Sequence, residues 1–291
     1  MAASRIDSRK SVVSVFRILC LCVSLLLPGT ALAVPQRVVA LTPSAAELVQ
    51  ALGGGAQLVG RSGDCGPELE KLPDVGRFDQ PSLEKIVALA PDLCVAVSDG
   101  TPPALLQRLR SLGTPLILLD VRCFESLQGE LMRLGEALGR KSEAADLCRE
   151  IARRLDRTDA RIANEVRRHR PSVMFLVQEK PFMAAAQGTF ISRLIARAGG
   201  GCAVAAQGNV LYPVLSREAM ATLRPEVVLV SAMSPGEAKD LPRRRPASTF
   251  PEAPELARSR IWLVDPDLYT RPSLKALDGL EQLVEILHPD E

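Results

Sequence analysis

Short apolar runs alternate with amphipathic helical segments along the first half of the chain, starting with a β-branched run at Arg37–Leu41. In the helical segments, apolar residues recur at three- and four-residue spacing, which is typical of helices with one buried face. Strands separated by helices indicate a mostly parallel sheet covered on both faces. The predicted strands are Arg37–Leu41, Gln57–Gly60, Asp92–Val97 and Pro115–Asp120, and the predicted helices are Ser44–Leu52, Ser82–Ala90, Pro103–Leu112 and Glu125–Leu138.

A long polar-rich helical pattern then divides the chain. Residues 141–169 contain no glycine or proline, and Ile151, Leu155 and Ile162 recur at helical spacing, so this segment predicts a rigid helix of roughly 40 Å. A second alternating set runs from a strand at Ser172–Val177 to a final helix at Pro272–Leu287. The pattern predicts an α/β protein with two Rossmann-like lobes, each built on a mostly parallel sheet with its own core, and joined by one long helix. The expected lobes are residues 34–140 and 170–291, and the expected connecting helix is residues 141–169.

One segment of the first half recurs in the second half. The sequence SLEKIVALAPDLCV starting at Ser82 and the sequence SREAMATLRPEVVLVS starting at Ser216 share a serine, a glutamate, a leucine, a proline and an acid at an offset of 134 residues. Two copies of one helix-to-strand unit indicate that the lobes are built alike.

The first 33 residues have the pattern of a leader that export would remove. Basic residues, among them Arg5 and Arg17, precede the apolar run Ile18–Leu27, and Ala31-Leu32-Ala33 provides a cleavage motif. The apolar run is too short for a membrane-spanning helix, which needs about 20 residues. We therefore expect a Sec signal peptide at 1–33 and a soluble protein of the periplasm.

Composition argues against several classes of function. The chain carries a net charge of only +2, so no basic nucleic-acid-binding surface is expected. It lacks a nucleophile motif and a phosphate-binding loop, and the glycine triplet Gly53–Gly55 follows a helix rather than a strand. With only two histidines, the sequence predicts neither proton-transfer chemistry nor a side-chain metal site. We expect no enzyme and no bound cofactor.

Two local details give further expectations. Ser44 and Glu47 have the spacing of a capping box at the start of the first helix. Cys65 and Cys123 both fall in loops after strands, and an oxidising compartment permits a disulfide between them; the alternative is that all cysteines outside the leader are free.

Four stretches carry a resemblance to a known family: RVVALTPSAAELVQALG, VGRF with PSLEKIVALAPDL, SREAMATLRPEVVLVS and RPSLKALDGLEQLVEILHP. They resemble, in the right order, the helical-backbone (type III) periplasmic binding proteins of ABC importers, and within that class they are most similar to cobalamin-binding proteins. The resemblance implies two lobes that hold one small-molecule chelate between them. It also implies a monomer that delivers the ligand to an ABC permease and ATPase complex of the inner membrane. Relatives bind haem and ferric siderophores, which remain the alternative ligands.

The resemblance also implies roles for individual residues. Glu84 and Glu218, the glutamates of the repeated unit, match the residues that dock into arginine pockets of the permease; the alternative is that each only complements a helix dipole. Aromatic, acidic and basic side chains would line the ligand cleft. The expected ligand-binding residues are Asp64, Phe78, Phe182, Tyr212, Asp267, Tyr269 and Arg271.

Two rival interpretations stay open. A ligand-free sensor domain would use the same two lobes without a functional cleft. An enzyme would need a reactive side chain, and Cys65 beside Asp64 is the first candidate for one.

Overall fold

The computed structural model describes residues 34–206, 208–232, 242–246, 248, 250–251 and 253–289. The expected signal peptide at 1–33 lies outside these residues. Within the described part of the chain, no helix combines the length and the hydropathy that crossing a bilayer requires.

The first half forms a four-stranded parallel sheet in the order β2 (Leu58–Arg61), β1 (Val38–Ala40), β5 (Leu93–Val97) and β6 (Leu116–Leu119). Its two central strands, β1 and β5, are fully buried because helices cover both faces. A separate antiparallel ribbon, β3 with β4, precedes the second helix. The elements are β1 Val38–Ala40, α1 Pro43–Ala51, β2 Leu58–Arg61, β3 Gly76–Arg77, β4 Gln80–Pro81, α2 Leu83–Ala88, β5 Leu93–Val97, α3 Pro103–Ser111, β6 Leu116–Leu119 and α4 Phe124–Ala137.

The second half repeats this arrangement. Its parallel strands lie in the order β9 (Gly201–Cys202), β7 (Ser172–Gln178), β10 (Val227–Ser231) and β12 (Arg260–Val264), which matches the order β2-β1-β5-β6. Two antiparallel strands are added, β8 on β7 and β11 on β12. The elements are β7 Ser172–Gln178, β8 Met183–Ala184, α6 Phe190–Arg197, β9 Gly201–Cys202, α7 Arg217–Leu223, β10 Val227–Ser231, β11 Arg243–Arg245, β12 Arg260–Val264, α8 Pro266–Tyr269 and α9 Ala276–Leu287.

The long helix α5, Lys141–Arg168, connects the halves. Its apolar side packs Ile151, Leu155 and Ile162 into a core that contains residues of both sheets. The expectation of two separate cores is therefore wrong. One face of each sheet shares the joint core, and the other face has a smaller cluster of its own.

The repeated unit predicted from the sequence occupies equivalent places in the two sheets. Ser82 and Ser216 each cap a helix, and each accepts a hydrogen bond from the backbone three residues later. The turns after these helices contain Ala90 and Arg224, which both have φ of +42° and both precede a proline. The side chains of Asp92 and Glu226 then accept hydrogen bonds from the backbone at the start of the first strand of their sheets, from Arg37 and Ser172 respectively.

Three local expectations are corrected. Helix α1 is capped by Thr42, with Pro43 in the first turn, and not by Ser44, so there is no Ser44–Glu47 capping box. The last helix begins at Ala276, four residues later than expected, and a separate short helix, α8, precedes it. Cys65 and Cys123 are both free thiols.

Candidate functional site

One cleft of about 470 Å³ lies where carboxyl ends of the strands of both sheets meet. Such crevices are the usual ligand sites of open α/β sheets. Each half contributes the residues that follow its parallel strands. The lining residues of the first half are Thr42, Pro43, Ser44, Asp64, Phe78, Val97, Asp99 and Gly100, and those of the second half are Val177, Ile191, Tyr212, Ser231, Pro266, Asp267, Thr270, Arg271 and Pro272.

Phe78 lies on the part of the cleft wall that the first half contributes. A hydrogen bond of its backbone and a glycine beside its ring hold it there. Its amide donates to Asp64 Oδ2 at 2.9 Å. Gly100 adopts φ of +104°, and a Cβ atom there would lie 3.3 Å from the Phe78 ring. Glycine is therefore suited to this position for two reasons, the left-handed backbone and the close ring.

Tyr212 and Asp99 connect the two halves across the cleft. The Tyr212 hydroxyl donates to Asp99 Oδ2 at 3.3 Å. Burial, together with the negative charge of Asp99, raises the pKa of Tyr212 far above its ordinary value. The phenol is therefore a neutral hydrogen-bond donor, because its ionised form would be poorly solvated beside a carboxylate.

Arg271 lies in a second set of contacts between the halves. Its guanidinium is 3.1 Å from Asp267 Oδ1 and 3.6 Å from Glu47 Oε1 of helix α1. Lys275 Nζ lies 3.1 Å from the same oxygen of Glu47. Glu47 thus ties the first half to the second, and this role replaces the capping role expected from its sequence position. Burial raises the pKa of Asp267 even though Arg271 opposes the shift.

Two of the expected ligand-binding residues do not line the cleft. Phe182 packs against Phe250, with ring centroids 6.1 Å apart, in the separate cluster of the second half. Tyr269 has no exposed surface, packs against Phe175 and donates to Gln282 Oε1 at 2.7 Å. Both positions are explained by local structure, since Phe182 directly precedes the added strand β8 and Tyr269 ends the unexpected helix α8.

The other expected ligand-binding residues, Asp64, Phe78, Tyr212, Asp267 and Arg271, come together in the cleft. Sequence reasoning missed Thr42, Ser44, Ile191 and Ser231. Thr42 and Ser44 follow the first strand of the first half, and Ser231 ends a parallel strand of the second half. The rule that ligands bind at the carboxyl ends of parallel strands would have identified these three.

Glu84 and Glu218 lie in the first turn of α2 and α7, and both side chains are exposed. In the described part of the chain neither forms an ion pair, and Glu218 has its pKa lowered by hydrogen bonds with its own backbone and with Ser216. Both carboxylates are accessible to a partner and also complement the helix N-termini.

Among the described residues, no group of three or more histidine, cysteine, aspartate or glutamate side chains is arranged to hold a metal ion. The thiol of Cys65 is held protonated, because burial raises its pKa to about 11. A protonated thiol is a poor nucleophile and a poor metal ligand.

Comparison with known proteins agrees with this architecture. The sequence profile of the family described as periplasmic binding protein matches residues 38–252. A vitamin B12-binding protein of Pectobacterium atrosepticum is 26% identical over 272 residues, which make up 92% of this chain and 94% of that protein.

Two solved structures are similar along most of their length. The periplasmic vitamin B12 binding protein BtuF of Vibrio cholerae has a TM-score of 0.75 at 25% identity, and the match covers 87% of this chain and 96% of that one. A periplasmic haem binding protein from Pseudomonas aeruginosa has a TM-score of 0.76 at 28% identity, with 88% and 94% covered. The chain belongs to the periplasmic binding protein family, and it is a substrate-binding protein of the ABC-transporter class that acts outside the cytoplasm and not an enzyme.

Proposed function

We propose that this protein captures cobalamin or a related corrinoid in its cleft and delivers it to the ABC permease and ATPase complex of the inner membrane. In this proposal a signal peptide at 1–33 directs the chain to the periplasm. Residues 34–140 and 170–291 act as the two lobes of a monomer, and residues 141–169 connect them.

The observation that carries the proposal is the shared cleft. Strand ends of both sheets meet at one space, and its wall combines apolar side chains with hydroxyl, carboxyl and guanidinium groups. Flat macrocycles bind to such walls because each ring buries a large apolar area. The similarity to a vitamin B12-binding protein along 92% of the chain supports a corrinoid as the ligand.

The chemistry of Tyr212 favours a corrinoid over haem, the ligand of a second relative. Tyrosine ligates haem iron through its phenolate oxygen, and Tyr212 is the one tyrosine among the described lining residues. Its pKa is raised by burial and by Asp99, so forming the phenolate is unfavourable in the ligand-free protein. Corrinoids bring their own nitrogen ligands and need no phenolate.

The proposed docking surface uses Glu84 and Glu218. They lie at equivalent positions in the helices α2 and α7, one in each half. They therefore supply two like charges related by pseudo-symmetry, as a two-fold permease requires. Arginine pockets would bind both carboxylates through charge-assisted hydrogen bonds.

The proposal is tested by calorimetric titration of the protein lacking residues 1–33 with cyanocobalamin, cobinamide, haemin and a ferric siderophore. We expect a corrinoid to bind with one molecule per chain, and tighter than the other ligands. Tighter binding of haemin or of the siderophore would overturn the corrinoid assignment. If none of them binds at micromolar concentration, the result favours a ligand-free sensor domain over capture of any of these chelates.

A further inference from the structure

Carboxylates outnumber cations in the described lining of the cleft. Asp64, Asp99 and Asp267 contribute three carboxyl groups, whereas Arg271 is the one basic side chain among the described lining residues. The carboxylates come from both halves, so their negative charge surrounds the ligand space.

The positive charge of Arg271 is already balanced. Its guanidinium contacts the carboxylates of Asp267 and Glu47 and lies 3.5 Å from the backbone oxygen of Asp64. Lys275 balances the negative charge of Glu47, because its Nζ lies 3.1 Å from Glu47 Oε1. The four side chains Glu47, Asp267, Arg271 and Lys275 therefore form a set with no net formal charge.

Arginines outside the lining residues are also engaged. Arg61 donates to the backbone oxygens of Leu69 and Ser62, and Arg77, which influences Asp64 electrostatically, pairs with Asp79 at 3.0 Å. Arg122 influences Tyr212 electrostatically, but its Nε lies 2.6 Å from Asp120 Oδ1. Its charge is thus directed to Asp120, which also accepts a hydrogen bond from Ser98 at 2.7 Å.

Among the described residues, Asp64 and Asp99 form no ion pair. Asp64 accepts from the Phe78 amide at 2.9 Å and from the Ser62 hydroxyl at 3.4 Å. Asp99 accepts from the Tyr212 hydroxyl at 3.3 Å. An ionised carboxylate has about four acceptor positions and no donor, so both side chains retain capacity to accept hydrogen bonds from a ligand.

We propose that this cleft selects its ligand by charge, binding neutral or cationic chelates with hydrogen-bond donors and discriminating against chelates that present carboxylates. The donors would be peripheral amide groups directed at Asp64 and Asp99. This inference deepens the proposed function, because a corrinoid carries such amides, whereas haem presents two propionates. The charge selection is nevertheless a property of the cleft and can be tested apart from the corrinoid assignment.

The sharpest test compares two ligands of the same shape: cyanocobalamin and the monocarboxylic acid made from it by hydrolysing one peripheral amide. We expect cyanocobalamin to bind about fivefold tighter or more at neutral pH and low salt, the effect of one unit charge a few ångströms from a carboxylate in water-like surroundings. The ratio of the two dissociation constants should shrink in 1 M salt, where screening acts over about 3 Å. Equal affinities, or tighter binding of the acid, would overturn the proposal.

Variants of the two cleft aspartates show whether they cause the difference in affinity between cyanocobalamin and its monocarboxylic acid. Replacing both Asp64→Asn and Asp99→Asn should bring the ratio close to one, since the two unbalanced charges are removed. Asp146→Asn is the matched control: it removes an exposed carboxylate of helix α5, outside the cleft, and should keep the wild-type ratio. A double variant that keeps the full ratio would contradict the role of these two aspartates, and the salt dependence in the wild type tests the charge selection even if the variant does not fold.

A second ligand pair separates failure of this inference from failure of the proposed function. If corrinoids do not bind and haemin does, the corrinoid assignment is wrong, and the charge selection is tested by haemin against its dimethyl ester. Tighter binding of the uncharged ester would support the charge selection, and tighter binding of haemin would overturn it. If neither pair binds, both proposals fail.

Discussion

At the scale of single residues, Phe78 provides a large apolar surface within the cleft. The hydrogen bond from its amide to Asp64 and the absence of a side chain at Gly100 place the ring at the wall. Phe182 is the same residue type in the second half, but it packs on Phe250 away from the cleft. The two phenylalanines therefore form a matched pair for separating binding from stability.

We predict that Phe78→Ala weakens ligand binding by about tenfold, because truncating an aromatic contact removes more than 1 kcal/mol of binding free energy. Phe182→Ala should leave the affinity within a factor of about two and lower the free energy of unfolding by about 2 kcal/mol. Calorimetry and urea denaturation measure the two quantities. An equal loss of affinity in both variants would contradict the placement of the cleft.

The fully buried thiol of Cys94 makes stability depend on alkaline pH. Burial raises its pKa from 9.0 to about 12, so the unfolded chain releases this proton at a lower pH than the folded chain. The contribution is fully present below pH 9 and is lost as the pH rises from there toward 12, at about 1.4 kcal/mol per pH unit. Urea denaturation under reducing conditions between pH 8 and 11 should show a flatter decline for Cys94→Ala than for the wild type. Identical slopes would contradict this assignment.

At the scale of elements, both copies of the helix-to-strand unit have the same strained turn between the helix and the strand. Ala90 and Arg224 both have φ of +42°, a conformation that L residues with a side chain adopt at a cost of about 1–2 kcal/mol. Each turn places the following proline and acid so that the strand begins in register. The strained backbone conformation thus occurs at equivalent turns in the two halves.

We predict that Arg224→Gly raises the free energy of unfolding by about 0.5–1 kcal/mol, because glycine adopts a positive φ without the Cβ penalty and the exposed arginine side chain makes few contacts. Arg224→Ala is the control, since it removes the same side chain without relieving the backbone, and should give no gain. Thermal or urea unfolding of both variants measures the difference. A gain of equal size in both would show that the arginine side chain, and not the backbone, is responsible.

The hydrophobic pattern predicts the main helices and strands. Each element is buried on one face or on both faces, and this burial determines the local spacing of apolar residues. The two-residue strands β3, β4, β8 and β9 could not be predicted in this way, since their pairing depends on neighbours distant in sequence. Tyr269 shows the consequence for the site. The sequence predicts Tyr269 in the ligand cleft, yet the short helix α8 turns the ring into the core.

Glu47 shows the same limit for charged residues. Its spacing from Ser44 indicated a helix cap, whereas its partners Arg271 and Lys275 lie more than two hundred residues away in the sequence. Contacts between the halves are set by the assembled fold. The repeated unit, in contrast, was recognisable because both copies retain the residues that cap and end their helices.

At the scale of the whole molecule, the joint core and the long helix hold the two sheets together while strand ends of both sheets face one cleft. Helix α5 is also attached to the last helix, because Arg154 pairs with Asp278 at 2.6 Å and with Glu281 at 2.8 Å. This continuous support favours limited motion between the halves and a cleft that is largely formed before the ligand arrives.

We predict that replacing both Glu84→Ala and Glu218→Ala abolishes ligand uptake by cells and leaves the affinity of the purified protein within about 1 kcal/mol, since both side chains lie outside the cleft. Uptake assays and calorimetry measure the two effects. The control replaces two other exposed glutamates, Glu70→Ala with Glu136→Ala, and should keep uptake. Loss of ligand affinity in the docking variant would indicate misfolding, and normal uptake would contradict the docking role.

If one ligand is held between the two halves, a crystal structure of the complex with cyanocobalamin will show it. We expect one corrin ring in the cleft, touching Phe78 from the first half and residues around Ile191 and Thr270 from the second. A corrinoid bound to one half alone, or at a surface away from these residues, would contradict it.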